Sequence, residues 1–269
     1  MEREGKVRAM RIRGFAPATP CWVELASADP ARAAEFYAGL FGWEPAGDRF
    51  RLGGRAAAGL TRARPGRPTG WLTYLTEHNL EASIMRVREA GGRLVGEPAD
   101  GHGGRSAVVA DPAGALLGLW EPGGFTGAQI GGEPGTMTFP ELLTDNAEAA
   151  ANFYGRAFGW LLRDEYGSDG TRGEWITTAH DAMAGLAPSR GGSWWRAAFQ
   201  VADCAATIEM CRNLGGGVIA GPTDMGFGSY AELLDPWGVP FAVAAPAALP
   251  VELSMSFTPD AGMELTFGG

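Results

Sequence analysis

A twenty-residue segment of this chain is written twice. Glu24-Leu25, Phe36-Tyr37 and Phe41-Gly42-Trp43 return 117 residues later as Glu141-Leu142, Phe153-Tyr154 and Phe158-Gly159-Trp160; nine of the twenty positions agree without a gap. Unrelated amphipathic segments do not share so much, so two homologous domains stand in tandem. Downstream the offset grows to 124, pairing Trp71 with Trp195, Gly91-Gly92 with Gly215-Gly216, and Asp111-Pro112 with Asp235-Pro236. The second copy therefore carries about seven extra residues, placed between Trp160 and Trp195.

Within each copy the pattern reads as strand, helix, then short strands, twice over. In the first copy a strand at 21–26 leads to Asp29-Pro30, where Asp at the N-cap and Pro at the first helical position start a helix. That helix turns Ala33, Ala34, Phe36, Tyr37 and Leu40 inward and stops at Gly42, before short strands near 49–53 and 55–61. A strand at 71–76, a helix at 79–90 and strands near 93–96, 105–110 and 114–120 complete the copy. The second copy repeats this with helices at 146–157 and 203–214, and strands near 137–142, 161–166, 173–178, 183–187, 195–201, 217–220, 228–234 and 238–244. The fold expected is α+β: two tandem domains, each of two βαβββ units. The boundaries read as an extension at 1–19, a domain at 20–122, a Gly-rich, aperiodic linker at 123–135, a domain at 136–246 and a tail at 247–269. The tail alternates apolar and polar residues at Val251, Leu253, Met255 and Phe257. It suits an edge strand of its own domain or one exchanged into a second copy, which leaves a homodimer open.

The 269 residues, 45% hydrophobic, suffice for two ordinary cores without disulfide or metal. With a net charge of −9 and no basic cluster beyond the N-terminus, nucleic acid is not an expected partner. The first eighteen residues hold no apolar run of signal-peptide length and no eighteen-residue apolar stretch follows, so the expectation is a cytoplasmic protein without a membrane partner. Cys21, Cys204 and Cys211 are an odd count with no histidine nearby, and read as buried reduced thiols.

An Asp-initiated helix ending in Phe-Tyr, a Phe-Gly-Trp turn and a late Asp-Pro-x-Gly turn before the last strand, in that order and twice, resemble the vicinal oxygen chelate superfamily. That superfamily includes glyoxalase I, extradiol dioxygenases and bleomycin resistance proteins; the arrangement is most similar to its tandem two-domain actinobacterial members. The resemblance covers about residues 20–122 and 137–245. It implies that each domain forms an open eight-stranded cup holding the ligand. In metal-using members a His or Glu projects from the first strand of each unit and another from the last strand. The matching positions here are Trp22 and Phe139, Thr73 and Ala197, and Gly118 and Ala242, none of which binds a divalent metal. The three histidines, His78, His102 and His180, have no ligand spacing. No cofactor is therefore expected. A two-residue slip, which preserves the strand face, would bring Glu24 and Glu141 into ligand positions.

Alternation sets Trp22 with Glu24 on one strand face and Phe139 with Glu141 on its counterpart. A strand carboxylate beside an aromatic ring reads either as a general base with a raised pKa or as a structural hydrogen-bond or ion-pair partner, and its recurrence in both copies favours the structural role. His102, between glycines, is a candidate rim acid or base beside Glu24 and Glu141. Trp22, Trp71, Thr73, Phe139, Trp175, Trp195 and Tyr230 are the candidate ligand-binding residues, their rings suiting a planar aromatic or polyketide-like molecule. Two functions follow: a metal-free protein that binds, and in one form transforms, such a molecule in natural-product biosynthesis or self-resistance, or a metal-dependent lyase or dioxygenase of the glyoxalase type.

Overall fold

The computed structural model describes residues 10–64, 69–166, 172–177, 181–226 and 228–247; His180 and the tail from 248 onward lie outside them. The first domain runs β1 (Met10–Arg11), β2 (Pro20–Ser27), α1 (Pro30–Phe41), β3 (Glu44–Ala46), β4 (Arg49–Leu52), β5 (Arg55–Arg62), β6 (Gly70–Thr76), α2 (Leu80–Glu89), β7 (Arg93–Gly101), β8 (Gly104–Ala110) and β9 (Leu116–Pro122). After β10 (Ile130–Gly131) the second domain follows with β11 (Glu141–Thr144), α3 (Ala147–Phe158), β12 (Leu161–Tyr166), β13 (Arg172–Ile176), β14 (Ala182–Pro188), β15 (Trp194–Arg196), β16 (Ala198–Gln200), α4 (Cys204–Asn213), β17 (Gly217–Asp224), β18 (Gly228–Leu234) and β19 (Pro240–Pro246).

Eight strands of the first domain form one sheet in the order β3-β4-β5-β2-β6-β9-β8-β7. The second domain repeats this order, but its fifth strand breaks at Ala197 into β15 and β16, leaving sheets β12-β13-β14-β11-β15 and β16-β19-β18-β17. Each helix starts where the sequence says it should. Asp29, Asn79, Asn146 and Asp203 cap the four N-termini with their side chains. Gly42 and Gly159 end α1 and α3 in the left-handed conformation.

The helices do not cover separate cores. Unit one of domain 1 shares a core with unit two of domain 2, where Val23, Phe36, Tyr37, Trp43 and Phe50 pack with Phe199, Ile208, Leu233 and Phe241. The reverse pairing joins Leu80, Ile84, Val87 and Leu117 to Phe153, Tyr154, Trp160 and Trp175. All three cysteines are buried and unpaired, as expected, and burial pushes the Cys21 thiol up to about 12 and Cys211 up to about 11.

Reciprocal hydrogen bonds tie the two halves. The Tyr37 hydroxyl donates to Asp235 Oδ2 (3.2 Å) and accepts from Trp71 Nε1 (2.9 Å). In mirror fashion Tyr154 donates to Asp111 Oδ2 (3.1 Å) and accepts from Trp195 Nε1 (2.8 Å). Trp43 Nε1 donates to Gly135 O (2.7 Å), and Trp160 Nε1 to Ala18 O (2.8 Å). The segment expected to be a polar linker is thus part of the packing: Phe125, Ala128 and Ile130 are buried, and β10 pairs with β1. Glycine-rich composition hid three apolar anchors.

Burial lifts the Tyr37 and Tyr154 phenols well above their usual range, with the facing aspartates adding to the shift. Burial likewise raises Asp111 and Asp235, against the hydrogen bonds their carboxylates accept. A phenol pKa higher in the folded than in the unfolded chain contributes stability that is present below the ordinary phenol value and lost as pH climbs above it. Melting temperature should therefore fall above about pH 10, and the Tyr37→Phe/Tyr154→Phe double variant should show a shallower fall. At pH 7 each single variant should lose about 1–3 kcal/mol, since an aspartate oxygen and an indole N–H are left without a partner; pH-resolved thermal unfolding checks both.

Candidate functional site

Residues of β2, β6, β8 and β9 that face away from the interdomain core line a cavity of about 240 Å³ in domain 1, here cup 1. Its wall is aromatic. Trp22 meets Phe125 edge-on with ring centroids 5.0 Å apart, and Trp120 Nε1 donates to Phe125 O at 3.0 Å, fixing that ring's backbone. In the same cavity the Tyr74 hydroxyl donates to Glu24 Oε1 at 3.3 Å. Glu24 leans over Gly59 on β5, where a Cβ would lie 2.9 Å from its Cγ, so only glycine there admits the carboxylate.

The mouth of cup 1 is drawn together by two hairpins from opposite ends of the sheet. Asp48, in the β3–β4 turn, contacts His102 Nδ1, in the β7–β8 turn. Next to it Arg49 Nη2 donates to His102 O at 2.8 Å, and its guanidinium lies 3.9 Å over the Phe125 ring, a cation–π placement.

Cup 2, about 410 Å³, is lined by Phe139, Leu186, Ala198, Met225, Ala244, Ala245 and Pro246, with Glu141, Gln200 and Tyr230 among its polar groups. Glu141 Oε2 accepts from Arg196 Nε (3.2 Å) and Nη2 (2.7 Å) and from the Tyr230 hydroxyl. Arg196 Nη1 reaches Glu232 Oε2 at 2.5 Å. Arg196 is 1% exposed. Burial works against its charge, but Glu141, with Tyr230 and Glu232, outweighs it, and the net shift is upward. Tyr230 is raised by burial first and by Glu141 second, so the phenol stays protonated and keeps donating.

Of the residues expected at the site, Trp22, Glu24 and His102 line cup 1, and Phe139, Glu141 and Tyr230 line cup 2. Four do not reach a cup. Trp71 packs into one interdomain core, Trp175 (0% exposed) and Trp195 (7%) into the other, and Thr73 is buried on the same strand face as Trp71. The cross-strand register explains this placement: Trp22 pairs with Tyr74 and Glu24 with Leu72, so Leu72 and Tyr74 share the cup face while Trp71 and Thr73 point the other way. Glu141 pairs with Arg196 and Leu142 with Trp195, giving the same phase in domain 2. Sequence reasoning missed Phe125, inside the presumed linker, and Arg196, Glu232 and Tyr74. Arg196 was visible as a charge where the first copy has Leu72, and Glu232 as one where it has Val108.

The metal that the family often carries does not fit these donors. Among the described residues no group of three His, Cys, Asp or Glu is placed to hold an ion. At the positions where ligands would project, cup 1 offers one carboxylate, Glu24, and the Tyr74 ring fills the space over Gly118, where a Cβ would come within 2.1 Å of it. In cup 2 Glu141 is held by Arg196 and Glu174 by Arg163, each a built-in cation.

Glu141→Gln should therefore lower stability by about 3 kcal/mol, since it weakens the ion pair to the buried Arg196. Denaturant unfolding checks it, and a loss below about 1 kcal/mol would refute the assignment of Glu141 to a structural ion network.

Residues 22–119 match a family described as Glyoxalase-like domain, and residues 136–243 match the Glyoxalase/Bleomycin resistance protein/Dioxygenase superfamily. The chain is 35% identical over 259 residues to the anthracycline biosynthesis protein DauV of Streptomyces sp. (strain C5), covering 85% of this chain and 94% of that one. It is 34% identical over 261 residues to the anthracycline biosynthesis protein DnrV of Streptomyces peucetius, with the same coverage. Among solved structures it resembles a Mn(II)-bound glyoxalase from Novosphingobium aromaticivorans, with a TM-score of 0.63 and 16% identity over 86% of this chain and 83% of that one, a likeness of fold. Both halves of the chain belong to the glyoxalase/bleomycin resistance protein/dioxygenase superfamily.

Proposed function

We propose that this protein binds a planar, hydroxylated aromatic small molecule in cup 1, without a metal, as part of natural-product biosynthesis or self-resistance. The observation that carries this reading is one cavity lined both by the rings of Trp22, Trp120 and Phe125 and by two hydrogen-bonding pairs, Glu24 with Tyr74 and Asp48 with His102. Flat rings gain from stacking and edge contacts with such a wall. The acceptors lining the cavity then select ligands whose hydroxyls are placed to meet them. The names of DauV and DnrV, which tie those relatives to anthracycline biosynthesis, support a polycyclic aromatic ligand. A metal-dependent lyase or dioxygenase is disfavoured by the donor sets of both cups. A cytoplasmic setting belongs to the same reading, supported by three unpaired buried thiols; among the described residues no helix is long and apolar enough to cross a membrane.

Filling cup 1 tests the reading. Ser106 lines cup 1 at the position occupied by Tyr230 in the second copy, so Ser106→Tyr places there a side chain the architecture already tolerates. A hydroxyanthraquinone should quench tryptophan fluorescence saturably in the wild type. Its affinity should drop more than about tenfold in Ser106→Tyr, a loss of about 1.4 kcal/mol, and stay within about twofold in a Phe139→Ala variant of cup 2. The opposite ranking would move the site to cup 2.

A further inference from the structure

We propose that Asp48 and His102 form a proton-accepting dyad at the mouth of cup 1, which takes the proton of an acidic hydroxyl on the bound aromatic ligand. This deepens the reading of cup 1 as an aromatic-binding site and rests on it. His102 sits at φ +55°, the left-handed region where a side chain is strained, in the two-residue turn between Gly101 and Gly104. The second copy has Gly226 at the equivalent position, with φ +81°. The turn is thus one that glycine fills without strain, and the first copy carries an imidazole there against the local preference. Strain held at one residue beside a cavity points to a role for that residue.

What the imidazole does there follows from its partners. An ionised carboxylate can only accept, so the Asp48 contact places the ring proton on Nδ1 and makes Nε2 the acceptor. The same carboxylate stabilises the imidazolium once Nε2 is protonated, the logic by which an aspartate supports a histidine base. Among the described residues, charged groups near the ring include Arg49, bonded to the His102 carbonyl, and Asp100, which pairs with Arg105 at 3.3 Å. Arg62, Arg64 and Glu24 line the same cavity. In the proposed step the ligand O–H bond breaks, its electron pair stays on oxygen as a phenolate, and an N–H bond forms at Nε2. No oxidant, reductant or co-reactant is needed. Cup 2 has Gly226 in place of the imidazole and lacks this dyad, so the step belongs to one cup.

Alizarin, 1,2-dihydroxyanthraquinone, reports both events: it quenches tryptophan on binding and changes from yellow to red on losing its phenolic proton. Bound to wild type, its colour change should move about one pH unit below that of the free dye, the shift expected when the anion forms beside a cation. His102→Gly, which copies the second domain and relieves the turn, should keep its melting temperature and its quenching while the colour change returns to the free value. Asp48→Asn should do the same in part, and His102→Gln, which keeps bulk but not basicity, should match His102→Gly. Quenching with an unshifted colour change in wild type, or a shift that survives both His102 variants, overturns the dyad and leaves the binding site standing. An absence of quenching overturns the reading of cup 1, and the dyad with it.

Discussion

Two tyrosine hydroxyls, buried between the domains, decide how this chain can be assembled. Each stands in a dry interior with an indole N–H on one side and a carboxylate on the other, and in each case the carboxylate comes from the other domain. A buried polar group left unpaired costs more than a made hydrogen bond gains, so neither domain can satisfy its own Tyr, nor its own Asp, alone. The aspartates serve two ends at once: Asp111 Oδ1 accepts from Ala115 N at 2.8 Å and Asp235 Oδ1 from Val239 N at 2.8 Å, closing their own turns while Oδ2 reaches across. The aromatic packing follows the same exchange, with Tyr37 edge-on to Trp71 at 5.1 Å and Tyr154 edge-on to Trp195 at 5.6 Å. Such pairs add about 0.5–1.5 kcal/mol each beyond their buried area.

This placement gives the internal repeat its meaning. Phe-Tyr, Phe-Gly-Trp, the lone Trp and Asp-Pro appear twice because each is needed on both sides of one pseudo-symmetric contact. The helices, lying between the sheets, spend their apolar faces on that contact: Arg86 Nε donates to Ala157 O at 3.0 Å and Arg156 Nη2 to Glu89 O at 2.9 Å, each guanidinium engaging a carbonyl of the opposing helix. The cups are left facing outward, away from the shared core. Apart from Glu24 and Glu141, which line the cups, the repeated aromatic and Asp-Pro residues thus mark the scaffold, whereas the cups differ where the copies disagree.

That division sets what could be read from the chain beforehand. The tandem architecture, the four helices with their caps and the pairing of Glu24 with Glu141 were legible, since periodicity, capping residues and a fixed offset are local signals. Strand phase was not. Trp71 and Trp195 looked like ligand platforms because large aromatics suit a cup, and only the pairing of β2 with β6 shows that they face the core. Phe125 was hidden by glycines around it, and its place in the cup depends on a chain reversal that no local pattern encodes. The Arg196 to Glu141 and Glu232 network joins residues 55 and 36 positions apart, visible only as an odd arginine within a strand.

The two cups solve one electrostatic problem in different ways. Each places a glutamate on its first strand over a facing glycine, at Gly59 and at Gly185. Each gives that glutamate a tyrosine hydroxyl, but from different strands: Tyr74 on β6 in cup 1 and Tyr230 on β18 in cup 2. Where cup 2 then has Arg196, cup 1 has Leu72, and where cup 2 has Glu232, cup 1 has Val108. A guanidinium that is 1% exposed and shared by two carboxylates is a fixed ion network. Such a network suits holding shape better than proton movement. Cup 1 keeps apolar residues at those positions and adds to Glu24 an ionisable pair at the rim, where Asp48 and His102 join the two ends of its sheet. Duplication supplied two copies of one cavity. Substitutions at strand and turn positions, among them 72, 74, 102, 106, 108 and 120 against 196, 198, 226, 230, 232 and 244, carry the chemical difference between them.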